Sequence, residues 1–204
     1  MQELINLPEP APDGGPPIWS VIAARRSTRH YGADPMPLPV LSQLLWSTHG
    51  ITGAMGAIGL RAAPSAGACY PIEAHVVANN VEDLERGLYR YLTEEHALLL
   101  QRKGNVGAEV ADAALGQKMC ELGSVTLVWT AVLPRSTGRY GKRGHRYVML
   151  DAGHVGQNTY LAATGLGYGC CTIGAFDDGA MNEIVGVDGS IETVVYAAAI
   201  GPLE

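Results

Sequence analysis

Charge is scarce in this sequence: 20 acidic and 14 basic residues make up 17% of 204 positions, against roughly a quarter in an average soluble domain. A chain of this length is expected to bury about 70% of its extended surface, enough for one sizeable core. A lone monomer would want more polar surface than this. Part of what reads as surface is therefore expected to lie under a partner or a ligand. Long apolar runs are missing as well: none approaches ~18 residues, so no segment is expected to span a membrane. Met1 to Pro17 carry Glu3, Glu9 and Asp13 and no base, unlike a secretory signal peptide. The net charge of −6 argues against a nucleic-acid binder held by phosphate attraction.

Cysteine is sparse and unpatterned. Cys69, Cys120, Cys170 and Cys171 show neither CxxC spacing nor a small disulfide framework. Adjacent Cys170 and Cys171 read as small buried apolar residues in a reducing compartment, and a cytoplasmic address follows. His145, His154, Cys120 and Cys170 lack ligand spacing, so no metal is expected. Neither GxGxxG nor GxxxxGK[ST] occurs, which removes Rossmann and P-loop readings. GxSxG is absent too, and a hydrolase is poorly supported.

Glycine, by contrast, is abundant at 26 positions, about 13%, nearly twice the usual ~7%. Residues Pro8 to Pro17 (PEPAPDGGPP) form an extended arm, because proline fixes φ and removes donors. The arm is either a loose tail or a wrap around a partner subunit. Residues 18–204 then read as one domain without repeat or linker. Helices are expected at Ile18 to Arg25, Pro39 to Gly50, Ala108 to Leu122 and Arg146 to Gly165. Strands are expected at Ala74 to Asn79, Gly87 to Leu92 paired with His96 to Leu100, Ser124 to Leu133 and Ile191 to Ile200. Gly53 to Ala68 and Gly165 to Phe176 read as small-residue loops. The interleaving gives an α+β or α/β fold.

The bases are not scattered. Arg25, Arg26 and Arg29 lie between Asp13 and Asp34 with no acid among them. Beside Ser27, such a cluster suggests a bound anion, since arginine presents a planar fork of N–H donors. The plainer alternative is that these arginines complement the C-terminus of a helix. A second basic run, Arg135, Arg139, Lys142, Arg143, His145 and Arg146, carries Tyr140 and Tyr147; it reads either as a solvated loop entering the long helix or, because cations there oppose the helix dipole, as the neighbour of a phosphate or carboxylate. The segment Pro64, Ser65, Ala66, Gly67, Ala68 is small enough for backbone to approach a flat ligand closely, and so is the turn around Gly174.

Taken in order, RRSTR, PSAGACYP, GLYRY, DAGHVGQNTYLAATGLGYG and IGAF resemble the nitroreductase family of flavoproteins, and more narrowly its SagB-type dehydrogenase branch. The resemblance runs from about Ile18 to Gly201. It implies an α+β sandwich around a central, mainly antiparallel sheet, flanked by helices, in an intertwined homodimer with FMN at the interface. On that pattern Arg25, Arg26, Ser27 and Arg29 hold the phosphate and ribityl chain. Pro64 to Ala68 pass along the flavin ring, while Ile173, Gly174 and Ala175 lie near its N5. The family commonly ends in a base that reaches the phosphate, whereas this chain ends Gly201, Pro202, Leu203, Glu204. Arg143 or Lys142 is the expected substitute. Tyr140 and His154 are candidates to touch substrate, and no catalytic residue is assigned.

The activity implied is hydride or electron transfer between a nicotinamide or organic donor, NAD(P)H foremost, and a small acceptor such as a nitroaromatic or quinone. Azoline dehydrogenation, as in the SagB-like branch, is an alternative. There a Lys-Tyr pair like Arg139-Tyr140 assists proton removal, and arginine rarely gives up a proton. A flavin-storing module with little turnover and a scaffold with a degenerate pocket also stay open.

Overall fold

Apolar residues on both faces of the central strands decide the architecture. In the computed structural model, which describes residues 4–204, seven strands form one sheet with helices on both faces. The strands are β1 (Leu4–Asn6), β4 (Ile72–Ala78), β5 (Gly87–Leu92), β6 (Ala97–Lys103), β7 (Val125–Val132), β8 (Tyr168–Ile173) and β9 (Glu192–Pro202). Their order is β1-β6-β5-β4-β7-β9-β8, and every neighbouring pair is antiparallel. A separate hairpin joins β2 (Ile51–Met55) to β3 (Ile58–Arg61). The helices are α1 (Ile18–Ala24), α2 (Leu38–His49), α3 (Val106–Ala113), α4 (Met119–Leu122), α5 (Leu133–Tyr140), α6 (Gly144–Gly165) and α7 (Asp178–Val185).

Successive residues of a strand face opposite sides of a sheet, and here both sides are apolar. Val76, Leu127 and Ala198 join a core cluster with Leu41, Leu44 and Leu45 of α2 and Val148, Ala152 and Val155 of α6. Their neighbours Val77, Val128, Ala197 and Ala199 join Val106 and Val110 of α3 and Met181 and Val185 of α7. The expected α+β sandwich is present, and the strand expected over Ser124 to Leu133 is β7, buried on both faces. Among the described residues no helix is long and apolar enough to cross a membrane.

Several expectations need correction. The segment Gly53 to Ala68, read as loop, holds most of the β2–β3 hairpin; it turns at Gly56, φ 61°, and all of β2 is exposed. Its Gly and Ala give no alternation, so the ladder left no trace in the sequence. Likewise Gly165 to Phe176 contains β8, an edge strand hidden by Gly169 within it and by the glycines that flank it. The helix expected over Ala108 to Leu122 breaks between α3 and α4, where Leu115 and Gly116 take φ of 58° and 79°. Arg135 to Arg146, read as a solvated loop, is α5 with a short 3-10 turn into α6; Pro134 in its first turn suits a helix start. The unforeseen α7 is capped by the Asp177 carboxylate, 2.8 Å from Ala180 N, and stops at left-handed Gly186.

The arm from Pro8 to Pro17 has no helix or strand, as expected, and it lies on its own chain. Ala11 N donates to Gln43 Oε1 at 2.8 Å, and Gln43 Nε2 returns a bond to Ala11 O at 3.0 Å.

Candidate functional site

Helix α6 organises two groups of the candidate residues. The first lies at the end of α1. There the chain turns, Ser27 bridges to Cys170 of β8, and Thr28 N donates to Cys170 O at 2.9 Å. Tyr160 of α6 ties this turn to β8: its hydroxyl lies 2.8 Å from Ser27 Oγ and accepts from Thr172 N at 3.0 Å. The Arg25 guanidinium stacks over the Tyr160 ring, 5.1 Å from its centroid, a geometry that fixes a cation without neutralising it. Among the described residues neither Arg25 nor Arg29 forms an ion pair with a carboxylate. Arg29 and Ser27 are exposed, and Arg25 is half-buried. Arg26 differs: its Nη1 donates to Ala23 O at 3.0 Å and Arg25 O at 2.7 Å. Here the plainer alternative of helix-end complementation holds. Past the last β8 pair, Ile173 to Ala197, Ile173 is buried while Gly174 and Ala175 are exposed.

The second group surrounds Pro64 to Ala68. Ser65 Oγ donates to Asp151 Oδ2 at 2.6 Å, and Ala66 N donates to Asp151 Oδ1 at 3.2 Å. Tyr70 N in turn donates to Ser65 Oγ at 2.9 Å. One buried carboxylate of α6 thus pins a loop in which Gly67, Ala68 and Tyr70 all take positive φ, 61°, 53° and 44°. Left-handed backbone at two non-glycine residues stores strain, which the surrounding structure must hold in place. Arg139 Nη1 donates to Gly67 O at 2.8 Å. A Cβ at Gly67 would meet the Tyr140 hydroxyl and stand 2.9 Å from Arg139 Cζ. Tyr140 packs edge-on to Tyr147 at 4.9 Å.

Both contacts predict measurable costs. Asp151→Ala leaves two donors short of an acceptor and is expected to destabilise by about 2 kcal/mol, read from urea midpoints. Gly67→Ala is expected to cost about 1–2 kcal/mol for its left-handed φ alone, and to displace Tyr140. A Gly67→Ala crystal structure with Tyr140 unmoved would contradict the second half.

The two groups are not in contact with each other in one chain. Asp151 and Tyr160 are nine residues apart on α6, roughly 13.5 Å along its axis and half a turn around it. Arg143 is farther still, at the start of α6, where its guanidinium lies over the Tyr147 ring at 5.9 Å. Lys142 is exposed beside it, and His154 is exposed midway along the helix. The second basic run is less unopposed than its sequence implied, because Arg135 pairs with Glu73 of β4. All four cysteines are free thiols, and among the described residues no cluster could hold a metal.

Sequence reading missed Asp151 as a functional residue. Its signal was available: it is the one acid of α6, and it falls on the stripe of Val148, Ala152 and Val155. His49 was missed as well. It is 2% exposed, and Nε2 of its ring has no hydrogen-bond partner.

Comparison with known proteins places the chain in a family. The model of the nitroreductase family matches residues 22–202. MJ1384 of Methanocaldococcus jannaschii, whose name places it among nitroreductases, is 40% identical over 168 residues, 82% of this chain and 83% of that protein. A crystal structure from Anabaena variabilis, likewise described as a nitroreductase, superposes over the whole chain with a TM-score of 0.86 and 29% identity. This chain spans 42% of that protein. The NADPH:FMN oxidoreductase of Vibrio harveyi, solved with NAD+, shares the fold at a TM-score of 0.65 and 18% identity, over 92% of this chain and 69% of its own. On the extent of the family match and the identity to MJ1384, this chain belongs to the nitroreductase family.

Proposed function

We propose that this protein is an FMN-dependent oxidoreductase acting as a homodimer. It would pass a hydride between NAD(P)H and a small organic acceptor of the nitroaromatic or quinone type. The carrying observation is the turn after α1: Arg25 and Arg29 lack carboxylate partners among the described residues, and exposed Ser27 bridges to β8, the strand that runs into the open turn at Gly174. Family membership supports the redox class, and the Vibrio harveyi protein supports the cofactor and the nicotinamide donor.

The residues present fit FMN. Arg25 and Arg29 can hold a phosphate dianion, and Ser27 can donate to it. A Cβ at Gly174 would meet only the Tyr196 ring, at 3.8 Å, so the backbone there is open to a flat ring. When bound, FMN supplies the reversible two-electron chemistry. The chain's own residues bind, orient and donate. Gly174 and Ala175 offer backbone N–H groups, Pro64 to Ala68 offer a pinned loop, and the Tyr140 phenol beside Gly67 can give a proton to a reduced acceptor. His154, exposed on α6, would meet an incoming substrate.

Because the two groups occupy opposite sides of α6, a second copy is what would bring an arginine turn and a Gly67 loop to one ligand. Arg143 or Lys142 would likewise reach a phosphate only from the partner. Met149 and Leu150, 55% and 52% exposed on α6, are the surface such a partner would cover. Residues 18–204 would form the flavin domain and 1–17 its arm, in the cytoplasm. The test is optical. The purified protein should be yellow or take up FMN, bleach with NADH or NADPH under anaerobic conditions, and recover its colour with a quinone or nitroaromatic. Uptake without bleaching would instead indicate a flavin-storing module. A colourless protein that takes up no FMN would overturn the reading.

A further inference from the structure

The buried imidazole of His49 has a definite tautomer. Thr48 has a single hydroxyl proton, and it donates to Leu45 O at 2.8 Å. The contact of 2.8 Å between Thr48 Oγ1 and His49 Nδ1 therefore needs its proton from the ring. His49 carries its hydrogen on Nδ1, and Nε2 is a bare lone pair in search of a donor. Leaving such an acceptor buried and unpaired costs about 1–3 kcal/mol.

A small cavity of about 10 Å³ adjoins this ring. Its lining includes His49, Arg61, Ser65, Tyr70 and Asp151. That volume matches roughly one water molecule. The chemistry matches too. Asp151 is an acceptor 3% exposed, and no base pairs with it among the described residues. Arg61 is a donor: its guanidinium lies over the Tyr70 ring at 5.0 Å, and its bond from Nη1 to Ile72 O is long at 3.5 Å. Two acceptors and one donor around a single-water volume form the complement of one water.

We infer that this cavity binds one ordered water, which donates to His49 Nε2 and to the Asp151 carboxylate and accepts from Arg61. His49 is then a positioning residue. Through the water it steadies Asp151, and through Asp151 the strained Ser65 to Tyr70 loop. Its bearing on the cofactor rests on the reading that this loop borders FMN; the water and the loop do not.

The experiment is NMR on the full chain, without FMN. In 15N-histidine spectra His49 should appear as the Nδ1–H tautomer, with a long-lived water beside Nε2. In His49→Phe, which keeps ring volume but removes the acceptor, amide exchange at Ala66 and Tyr70 should accelerate about tenfold, the worth of one such hydrogen bond. Exchange at Val128 in the central strand should follow global stability alone. His49→Gln, whose amide oxygen can accept from the same water, should restore protection to within about threefold and serves if the Phe variant does not fold. An Nε2–H tautomer, an absent water, or Ala66 protection unchanged once global stability is subtracted would each overturn the inference. Whether wild-type protein takes up FMN is a separate measurement, so failure of the flavin reading is distinguishable.

Discussion

FMN affinity should fall about a hundredfold to ten-thousandfold when Arg25 and Arg29 are both replaced by alanine. Each charge-assisted hydrogen bond to a phosphate contributes roughly 1.5–3 kcal/mol, and 1.36 kcal/mol is a factor of ten. Two such losses set the range. The structure sharpens the prediction by separating three arginines that the sequence grouped together. Arg25 is held over the Tyr160 ring and Arg29 is exposed, whereas Arg26 is already committed to the carbonyls of Ala23 and Arg25. Arg26→Ala should therefore change FMN affinity by less than about threefold, a small fraction of one charge-assisted bond. Isothermal titration of the apoprotein with FMN reads all three variants. Unchanged affinity in the double variant, or a loss in Arg26→Ala as large, would sink the assignment.

Why the arginines were legible and their division of labour was not is a matter of what chain order encodes. An acid-free basic turn beside Ser27 stands out against a net charge of −6, because unlike charges are the exception there. Which arginine turns back onto its helix depends on the C-cap geometry at Arg25, which composition does not record. The PSAGA loop was likewise visible as small residues. Its anchor was not, because Asp151 lies 86 positions from Ser65, and nothing local marks the pair. The same limit explains the fold errors. Val125 to Val132 announces itself by unbroken apolar character, but the ladder of β2 and β3 is backbone pairing with hardly any side-chain pattern. β8 shares that fate: Gly169 interrupts it, it shows no alternation, and only its ladder with β9 reveals it. The opening shortage of charge finds a partial account in the exposed Met149 and Leu150. These apolar side chains on α6 occupy a face where a lone monomer would carry polar ones.

Stability should begin to fall as soon as the pH drops below about 6.5. Burial pushes the His49 imidazole down to about 3, helped by the nearby Arg61 charge. Burial also lowers His75, against the opposing bond to Gln101, and lowers His96, against its bond to the Pro8 carbonyl. The sign follows from linkage: the unfolded chain binds a proton near pH 6.5 that the folded chain refuses, so stability is fully present above that pH and declines below it. For His49 the decline runs from pH 6.5 to about 3 at up to 1.36 kcal/mol per pH unit, roughly 4–5 kcal/mol in all. That is comparable to the ~5–15 kcal/mol of an entire domain. Asp188, held near 2 mainly by the Ser190 hydroxyl, adds its own loss only below its ordinary value of about 3.8. The window between pH 6.5 and 4.5 therefore belongs to the histidines. Urea midpoints taken across it should give stability falling by roughly 2 kcal/mol from His49 alone. His49→Phe, less stable at pH 8, should show a shallower slope by about one proton. Equal slopes in the variant and the wild type would mean that His49 is protonated in the folded state, contrary to its bare, buried Nε2.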